Sequence, residues 1–516
     1  MANASIGGLV SGLDTATIIS QLMQIEAQPQ TNLKNRLSDY QKQVNSLQTV
    51  NSKLAGIATK AAALSQLSSW TPTKASSTDD AVTVTADAGA TPSSLTLNVV
   101  GSATASRATY TTSGTADQVL VANTNVTVTF ANGDTPYTFN TGDGTLSTIA
   151  DKLNASGSVK ATLVKSGTNA AGEATYRLTV ESADTGASSG FIIDDGSGAF
   201  LGGPASHVDG VDAQITVNGQ SLTSSSNTFT DLMPGVDVTV SAAAVGKDVT
   251  ITVARDAQSL SDKVKSLVDS VNAALDDIDS LTAYKSDSSA PGILSGDSTL
   301  RQIRDQLISS VTSGVNGQSL ASVGIQTDKT GHLVFDESKF QDAFNADPTG
   351  TAKLFAGTAT FSGTGSVDLH SSTWRTQEGK YVVDAAAQTI DGAGSMTGSL
   401  LSGATGSRVD GLVLDVSADA NGTVTYTQGF AAKLEAITQR ASDSAVGTVT
   451  AVINGRNDSI DRLEDDIADW DVRLGKREET LRRQYTALEV ALGKLQDQST
   501  WLAGQISSLP SISTGK

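Results

Sequence analysis

Residues 449–509 read VTAVINGRNDSIDRLEDDIADWDVRLGKREETLRRQYTALEVALGKLQDQSTWLAGQISSL, and the spacing of their apolar side chains decides the architecture. Ile453, Ile460, Leu463, Ile467, Trp470 and Leu474 follow one another in a first step of seven and then in alternating steps of three and four. The series resumes at Leu481, Tyr485, Leu488, Leu492 and Leu495, and again at Leu502, Ile506 and Leu509. Steps of three and four place these side chains on one face of an α-helix turned toward a partner helix. From Arg477 through Leu481 to Tyr485 two steps of four come in succession, a stutter that unwinds a supercoil locally without ending the helix. At 1.5 Å per residue such a helix is roughly 85 Å long. It cannot cover its own stripe.

The other end of the chain supplies a partner. Asp14 is a good N-cap for a helix carrying Ile18, Leu22 and Ile25, and Pro29 then kinks or breaks it. Downstream runs a heptad series: Leu33, Leu37, Tyr40, Val44, Leu47, Asn51, Leu54, Ala58 and Ala61. Asn51 is either a polar core residue that sets register or a half-exposed position on a loosely wound pair. The two terminal stripes, otherwise unpaired, are expected to lie against each other as a helical stalk. Arg462, Asp466, Arg473 and Glu478 suit its solvated flanks. Paired this way, the series at 33–61 covers the inner part of the terminal stripe. Tyr485 to Leu509 is left only the weaker helix before Pro29. The stutter is then expected to mark where packing within the chain gives way to contact with neighbouring subunits.

Between the ends the period changes from 3.6 to 2. Val82–Thr85, Leu95–Val99, Ala213–Val217, Val236–Val240 and Val249–Val253 alternate as half-buried strands do, with Asn218-Gly219 as a hairpin turn. Asn125–Phe130 and Tyr137–Phe139 form a second hairpin, Thr145 caps a short helix, and strands follow near Lys160–Val164 and Tyr176–Val180. Sequence order makes 106–207 an insert in a β-domain whose strands near 80–100 pair with those at 211–253. Helix returns at Asp256 with Leu260, Val264, Leu267, Val271, Ala274, Ile278 and Leu281, and again after Ser298, read as a cap. Residues 357–427 are rich in Gly, Ser and Thr and turn strand-like at Leu412–Val416 and Thr423–Tyr426. From Gly429 the chain is helical into the terminal stripe.

A chain of 516 residues is long enough for several domains. Its net charge of −19 argues against binding nucleic acid or an anionic membrane. With no cysteine, thiol catalysis, zinc–thiolate sites and disulfides are excluded, and three histidines do not make a histidine-rich metal centre. No apolar run is long enough to span a membrane, and the first residues lack a basic start and a long apolar stretch. The protein is therefore expected to stay in the cytoplasm or to leave without a cleaved signal. Gly186-Ala-Ser188-Ser-Gly190 matches a serine-nucleophile pattern but lies in a Ser/Gly-rich loop without recognisable partners. Asp194-Asp195-Gly-Ser and Asp419-Ala-Asn421-Gly422 lack the spacing of a calcium loop and read as turns, and Asp465-Asp466 as a solvated helix face. Trp470 and Tyr485 read as core knobs. No enzyme and no cofactor is expected.

Particular motifs then narrow the reading. Ile6-Gly-Gly-Leu-Val-Ser-Gly-Leu-Asp14, followed by Ile18-Ile19, Gln21-Leu22 and the heptad helix, resembles the opening of the flagellar filament cap family, hook-associated protein 2. Gly210-Val-Asp212-Ala213, Val217-Asn-Gly219, Asn227-Thr-Phe229 and Pro234-Gly-Val236 are similar to that family's β-domain signature. Leu294-Ser-Gly-Asp297-Ser-Thr-Leu300-Arg301, Gly324-Ile325, Gly331-His-Leu333 and Asp347-Pro348 continue the match in order, and Arg483–Glu489 resembles its closing helix. Thr145–Ala150 through Arg177–Ser182 is similar to a repeat inserted in flagellin-type proteins. Residues 357–427 depart from the family pattern.

The resemblance implies an α+β multidomain protein, with long terminal helices paired as a coiled-coil stalk and small β-rich head domains inserted. It implies a terminal leg (1–42 and 446–516) and a helical stalk domain with small β elements (43–75, 256–356 and 428–445). It further implies a β-rich head (76–105 and 208–255), an inserted flagellin-type β/α head (106–207) and an extra β insert (357–427). The function implied is to cap the filament tip, keep exported flagellin from leaking away and promote its folding, with adhesion as a secondary role. Implied partners are further copies in a ring, pentameric or of neighbouring stoichiometry, then flagellin, the hook–filament junction protein, the export apparatus and an export chaperone. Neither nucleic acid nor membrane insertion is implied, and the implied place is outside the cell, after export through the flagellar channel. Helix pairing and oligomer contacts would fall on Leu33, Leu37, Tyr40, Val44, Leu47, Leu54, Ile460, Leu463, Ile467, Leu474, Tyr485, Leu488, Leu492, Leu495 and Leu502. A surface adhesin and flagellin itself are the competing readings; the first needs no paired terminal helices, and the second lacks the Gly296–Arg301 segment.

Overall fold

A computed structural model describes residues 14–284 and 290–507. The start of the opening motif, Ile6–Leu13, and Leu509 lie outside the described residues. The helices are α1 (Thr15–Glu26), α2 (Gln28–Ser65), α3 (Leu146–Asn154), α4 (Ala257–Thr282), α5 (Ser298–Thr312), α6 (Glu337–Ala346), α7 (Pro348–Ala356), α8 (Phe430–Ser442) and α9 (Thr448–Ser507). The chain divides into two compact units, one of residues 1–67 and 261–516, the other of 68–260. The architecture is α+β, with antiparallel sheets throughout.

In the 68–260 unit, one sheet joins Thr73–Ser77, Asp248–Arg255, Ser93–Gly101, Ala213–Val217 and Gln220–Ser224 in that spatial order. A second joins Thr228–Met233, Val236–Val240 and Val82–Ala86. Their shared core holds Leu97, Val99, Ile215, Phe229, Val238, Val249 and Ile251, the inward positions of the alternating runs. Residues between 107 and 208 build a separate core around α3, with Val126, Val128, Leu146, Ile149, Leu153, Leu178 and Val180. Thr145 starts α3, its side chain accepting the Thr148 N–H at 3.2 Å.

Each insertion is closed by pairing the strand that enters it with the strand that leaves it. Thr73 pairs with Arg255, Gly101 with Gln214, Arg107 with Val208, and Gly357 with Gln428. A host that offers two adjacent antiparallel strands can carry an added domain without a change in its own core.

The other unit is built on helices. Val44, Leu47, Val50, Leu54, Ile57, Ala58, Ala61 and Leu64 of α2 are buried. The 33–61 series accounts for only part of this set. Val50, Ile57 and Leu64, seven apart, form a second stripe, because α2 packs against both α8 and α9. In α4, Leu260, Val264, Leu267, Val271, Ala274 and Ile278 are all buried, as their spacing predicts. The cap before Leu300 is Asp297 rather than Ser298: the Asp297 carboxylate accepts the N–H groups of Thr299 and Leu300 at 2.9 and 3.1 Å. An ionised acceptor at a helix start also meets the positive end of the helix dipole. Phe340, Phe344, Phe355 and Phe430 pack ring against ring, one pair stacked and two edge-on, in a chain that joins α6, α7 and α8. Residues 357–428 fold as two four-stranded sheets around Tyr381, Val383, Leu401, Leu414, Val424 and Tyr426.

Between α8 and α9 the chain turns at Asp443–Gly447. The Asp443 carboxylate accepts the N–H groups of Val446 and Ala445, which lower its pKa. Gly447 belongs there because a Cβ would lie 2.5 Å from the Asp443 carbonyl oxygen.

One buried acid stands out. Glu435 of α8 is 7 % exposed and accepts the Ser65 hydroxyl at 2.7 Å and the Trp374 N–H. Burial raises its pKa above the ordinary value, more than the two hydrogen bonds lower it. The folded state therefore favours the neutral acid. Its contribution to stability is full below the ordinary carboxylate range and is lost as pH rises through the raised value. Glu435→Gln is expected to raise the melting temperature at pH 7 and to give no gain near pH ~4. Thermal unfolding of both chains across that range checks this.

Candidate functional site: the terminal helix pair and its open face

Pro29 marks a break between two helices, one of its two expected roles, and lies where the second begins. α1 stops at Glu26, Ala27 makes the joint, and Pro29 occupies the first turn of α2, where its missing N–H costs nothing. Asp14 caps α1, its carboxylate accepting the Thr17 N–H at 3.0 Å. α9 then runs for 60 residues without a break, through the stutter, about 90 Å at 1.5 Å per residue.

α2 and then α1 pack along α9, antiparallel to it. Two polar contacts set the register. Gln30, buried, donates from its amide to the Ile467 carbonyl at 3.3 Å and to the Asp471 carboxylate at 2.5 Å, and its own oxygen accepts from Lys34 at 3.2 Å. Further out, the Arg477 guanidinium donates to Glu26 at 2.8 Å. Arg456 lies over the Tyr40 ring, 5.3 Å from its centroid. Gln30 was not legible as a site residue, since it follows Pro29 at an expected interruption. A buried amide also fixes an alignment more sharply than a leucine, which can slide against another leucine.

Among the expected pairing residues, Val44, Leu47, Leu54 and Leu463 are buried, and Leu33, Leu37, Tyr40, Ile460, Ile467 and Leu474 are half-buried. Asn51 is half-buried, with its Oδ1 buried and without a hydrogen-bond partner. Trp470 is half-buried too and carries Arg473 over its ring at 4.6 Å.

Burial along α9 ends at the stutter. Leu463 is 5 % exposed and Leu481 6 %, and Leu481 is the last buried residue of the helix. Tyr485 and Leu492 are half-buried. Leu488, Leu495, Leu502 and Ile506 are 45, 59, 53 and 63 % exposed. The register explains the change. With Glu26 on Arg477, antiparallel counting puts Thr15 opposite about residue 488. The helix before Pro29 therefore lies along the stutter, and among the described residues it does not reach Leu495, which leaves apolar surface over beyond it. Trp501 and Val490, also exposed, fall on the other side of α9. Leu488, Leu495, Leu502 and Ile506 thus present a run of exposed apolar side chains at helical spacing.

Elsewhere the candidate motifs resolve into structure. Ser188 is exposed in a single 3-10 turn, and its neighbour Ser189 accepts the Ser106 N–H at 3.1 Å. His207 and His332 pair with Asp209 and Asp276. Asp194 and Asp195 accept backbone N–H groups two residues ahead, as turn residues do. Among the described residues no cluster of His, Asp or Glu could hold a metal, and no helix is long and apolar enough to cross a membrane.

Comparison with known proteins bears on the whole chain. Residues 11–106 match the family model described as flagellar hook-associated protein 2 N-terminus, and residues 210–497 the one described as flagellar hook-associated protein 2 C-terminus. The gap between the matches coincides with the insert around α3. A flagellar hook-associated protein 2 of Escherichia coli is 29 % identical over 422 residues, covering 76 % of this chain and 89 % of that protein. The B-type flagellar hook-associated protein 2 of Pseudomonas aeruginosa is 27 % identical over 398 residues, covering 69 % and 81 %. In fold, the chain resembles a crystal structure of flagellar cap protein FliD domains from Escherichia coli. The TM-score is 0.55 at 22 % identity, covering 80 % of this chain and 99 % of that one.

The two halves of α9 should answer differently to truncation of a leucine. Leu463→Ala is expected to cost about 2–3 kcal/mol of stability, since it opens a cavity in the helix pair. Leu502→Ala is expected to change stability by no more than about 0.5 kcal/mol. Denaturant unfolding of the two variants measures both.

Proposed function

Because this chain belongs to the flagellar hook-associated protein 2 family, the structural family of filament caps, we propose that its α9 face beyond the stutter is the surface by which the cap holds the filament tip. One observation carries this reading: the leucine stripe stays on register past Leu481 while its cover ends. A helix that kept Leu488, Leu495, Leu502 and Ile506 for solubility alone would have no reason to keep them in line. Burying such side chains on a partner is worth about 1.5–3 kcal/mol each before the costs of association.

In this reading further copies of the chain form a ring of about five, or a neighbouring number, and the paired terminal helices are legs reaching toward the filament. Residues 1–42 and 446–516 serve as leg, 43–75 with 256–356 and 428–445 as stalk, and 76–255 and 357–427 as head and inserts. Leu33, Leu37, Tyr40, Val44, Leu47, Leu54, Ile460, Leu463, Ile467 and Leu474 hold the leg together and join it to the stalk. Tyr485, Leu488, Leu492, Leu495 and Leu502 meet neighbouring copies, flagellin or the hook–filament junction protein. Flagellin arriving at the tip is retained by the cap until it folds into place. The export apparatus and a chaperone deliver the chain itself, unfolded. Many small β-domains and the absence of cysteine suit that passage, since no disulfide can form to block it.

Two experiments test this. A strain lacking the gene is expected to make no full filaments and to shed monomeric flagellin into the medium; normal filaments would refute the cap role. A chain ending at Gln484 is expected to melt like the full chain, because no buried side chain is removed among the described residues, yet to restore no swimming. Swimming restored by that chain would place the tip contact elsewhere.

A further inference from the structure

Where the 357–428 sandwich meets α8, a solvent-open cleft of about 570 Å³ is lined by Trp374, Arg375, Glu378, Asp410, Gln428 and Arg440 among others. Its charges are unevenly engaged. Glu378 accepts the Gln428 backbone N–H at 2.8 Å and lies 3.8 Å from the Lys433 ammonium. Asp410 accepts the Gly406 N–H at 2.9 Å. Asp443, near Arg375, is committed to the two N–H groups of its own turn. The arginines are different. Arg440 reaches the Trp374 carbonyl at 3.4 Å, and the Arg375 guanidinium lies 4.6 Å from the centre of the Trp374 ring. Neither forms an ion pair with an acidic side chain among the described residues, although acidic side chains outnumber basic ones 54 to 35 in this chain.

The backbone between them is held by hydrogen bonds. The Trp374 N–H is held by buried Glu435 and its carbonyl by Arg440. Ser372 accepts the Gln66 amide at its carbonyl, 3.2 Å, and the Tyr426 hydroxyl at its Oγ, 2.7 Å. The Thr376 carbonyl accepts the Gln428 amide at 2.9 Å. Two guanidiniums outside any ion pair, beside carboxylates that accept backbone N–H groups, offer free donors to an added anion. A guanidinium fork matches a planar carboxylate in two parallel hydrogen bonds, and stacking on an indole holds the fork flat at little entropic cost.

We propose that this cleft binds a carboxylate, carried either by a small organic acid or by an acidic side chain of a polypeptide. The second source rests on the cap reading, in which chains pass close to the protein; the first does not. The test titrates the full-length chain by calorimetry with succinate and, separately, with an acetylated Gly-Glu-Asp-Gly peptide, while Trp374 is followed by its indole NMR signal. Saturable binding of succinate assigns the site to free acids. Binding of the peptide alone assigns it to presented side chains. Either result, with binding weakened about tenfold or more in Arg375→Ala at an unchanged melting temperature, supports the site. Arg440→Lys, which keeps the charge and loses the fork, is expected to weaken binding as well.

No saturation by either probe up to about 10 mM would overturn the proposal, as would equal affinity in Arg375→Ala. Tighter binding of inorganic phosphate than of both probes would overturn the carboxylate assignment. None of these readings needs a filament, so failure here is separable from failure of the cap role in the deletion strain.

Discussion

A 60-residue helix with one apolar stripe has to be covered along its length, and the chain covers it from its other end. The register of that pairing is the constraint on which the rest depends. Gln30 against Ile467 and Asp471, then Glu26 against Arg477, align α2 and α1 with α9 so that the cover ends near the stutter. Leucine against leucine tolerates sliding by a turn; a buried amide with one carbonyl and one carboxylate does not. Once the register is set, the length of apolar helix left uncovered among the described residues follows by counting.

The same geometry lets a helical core carry large additions. Every insertion leaves and returns on neighbouring antiparallel strands, so its two ends sit within one inter-strand spacing of each other. Each added domain then closes its own core, around α3 in one case and around Tyr381 and Tyr426 in another. The gap between the two family-model matches falls on the first of these. The second is tied to its host by polar contacts, with Ser372 held by Gln66 and Trp374 by Glu435 and Arg440. Burial of the glutamate in that joint raises its pKa above the ordinary value.

Much of this was legible in periodicity. The long helix, the 33–61 partner, the α4 stripe and the hairpins at 125–139 and 213–223 follow from which positions are apolar, because a 3.6 or 2.0 repeat is a local property of the chain. What escaped was decided by neighbours. Val50, Ile57 and Leu64 look surplus until α8 is found on the second side of α2. Ser298 and Asp297 are both fair caps, and only backbone geometry chooses the carboxylate. The strands of 357–403 carry too few apolar residues and too many turns to announce themselves. Arg375 and Arg440 lie 65 positions apart, and no local pattern links them.

The sequence by itself determined that the terminal helices exist, that each has a stripe needing cover, and that the stripe persists to the end of α9. Those facts reside in spacing along one chain. Tertiary structure alone decided where the cover stops. That depends on which residue of α1 or α2 faces which residue of α9, and the choice rests on contacts between positions more than 400 apart, Gln30 with Asp471 and Glu26 with Arg477. The open leucines past Leu481 are therefore a consequence of register, written at both ends of the chain and visible only when the two are brought together.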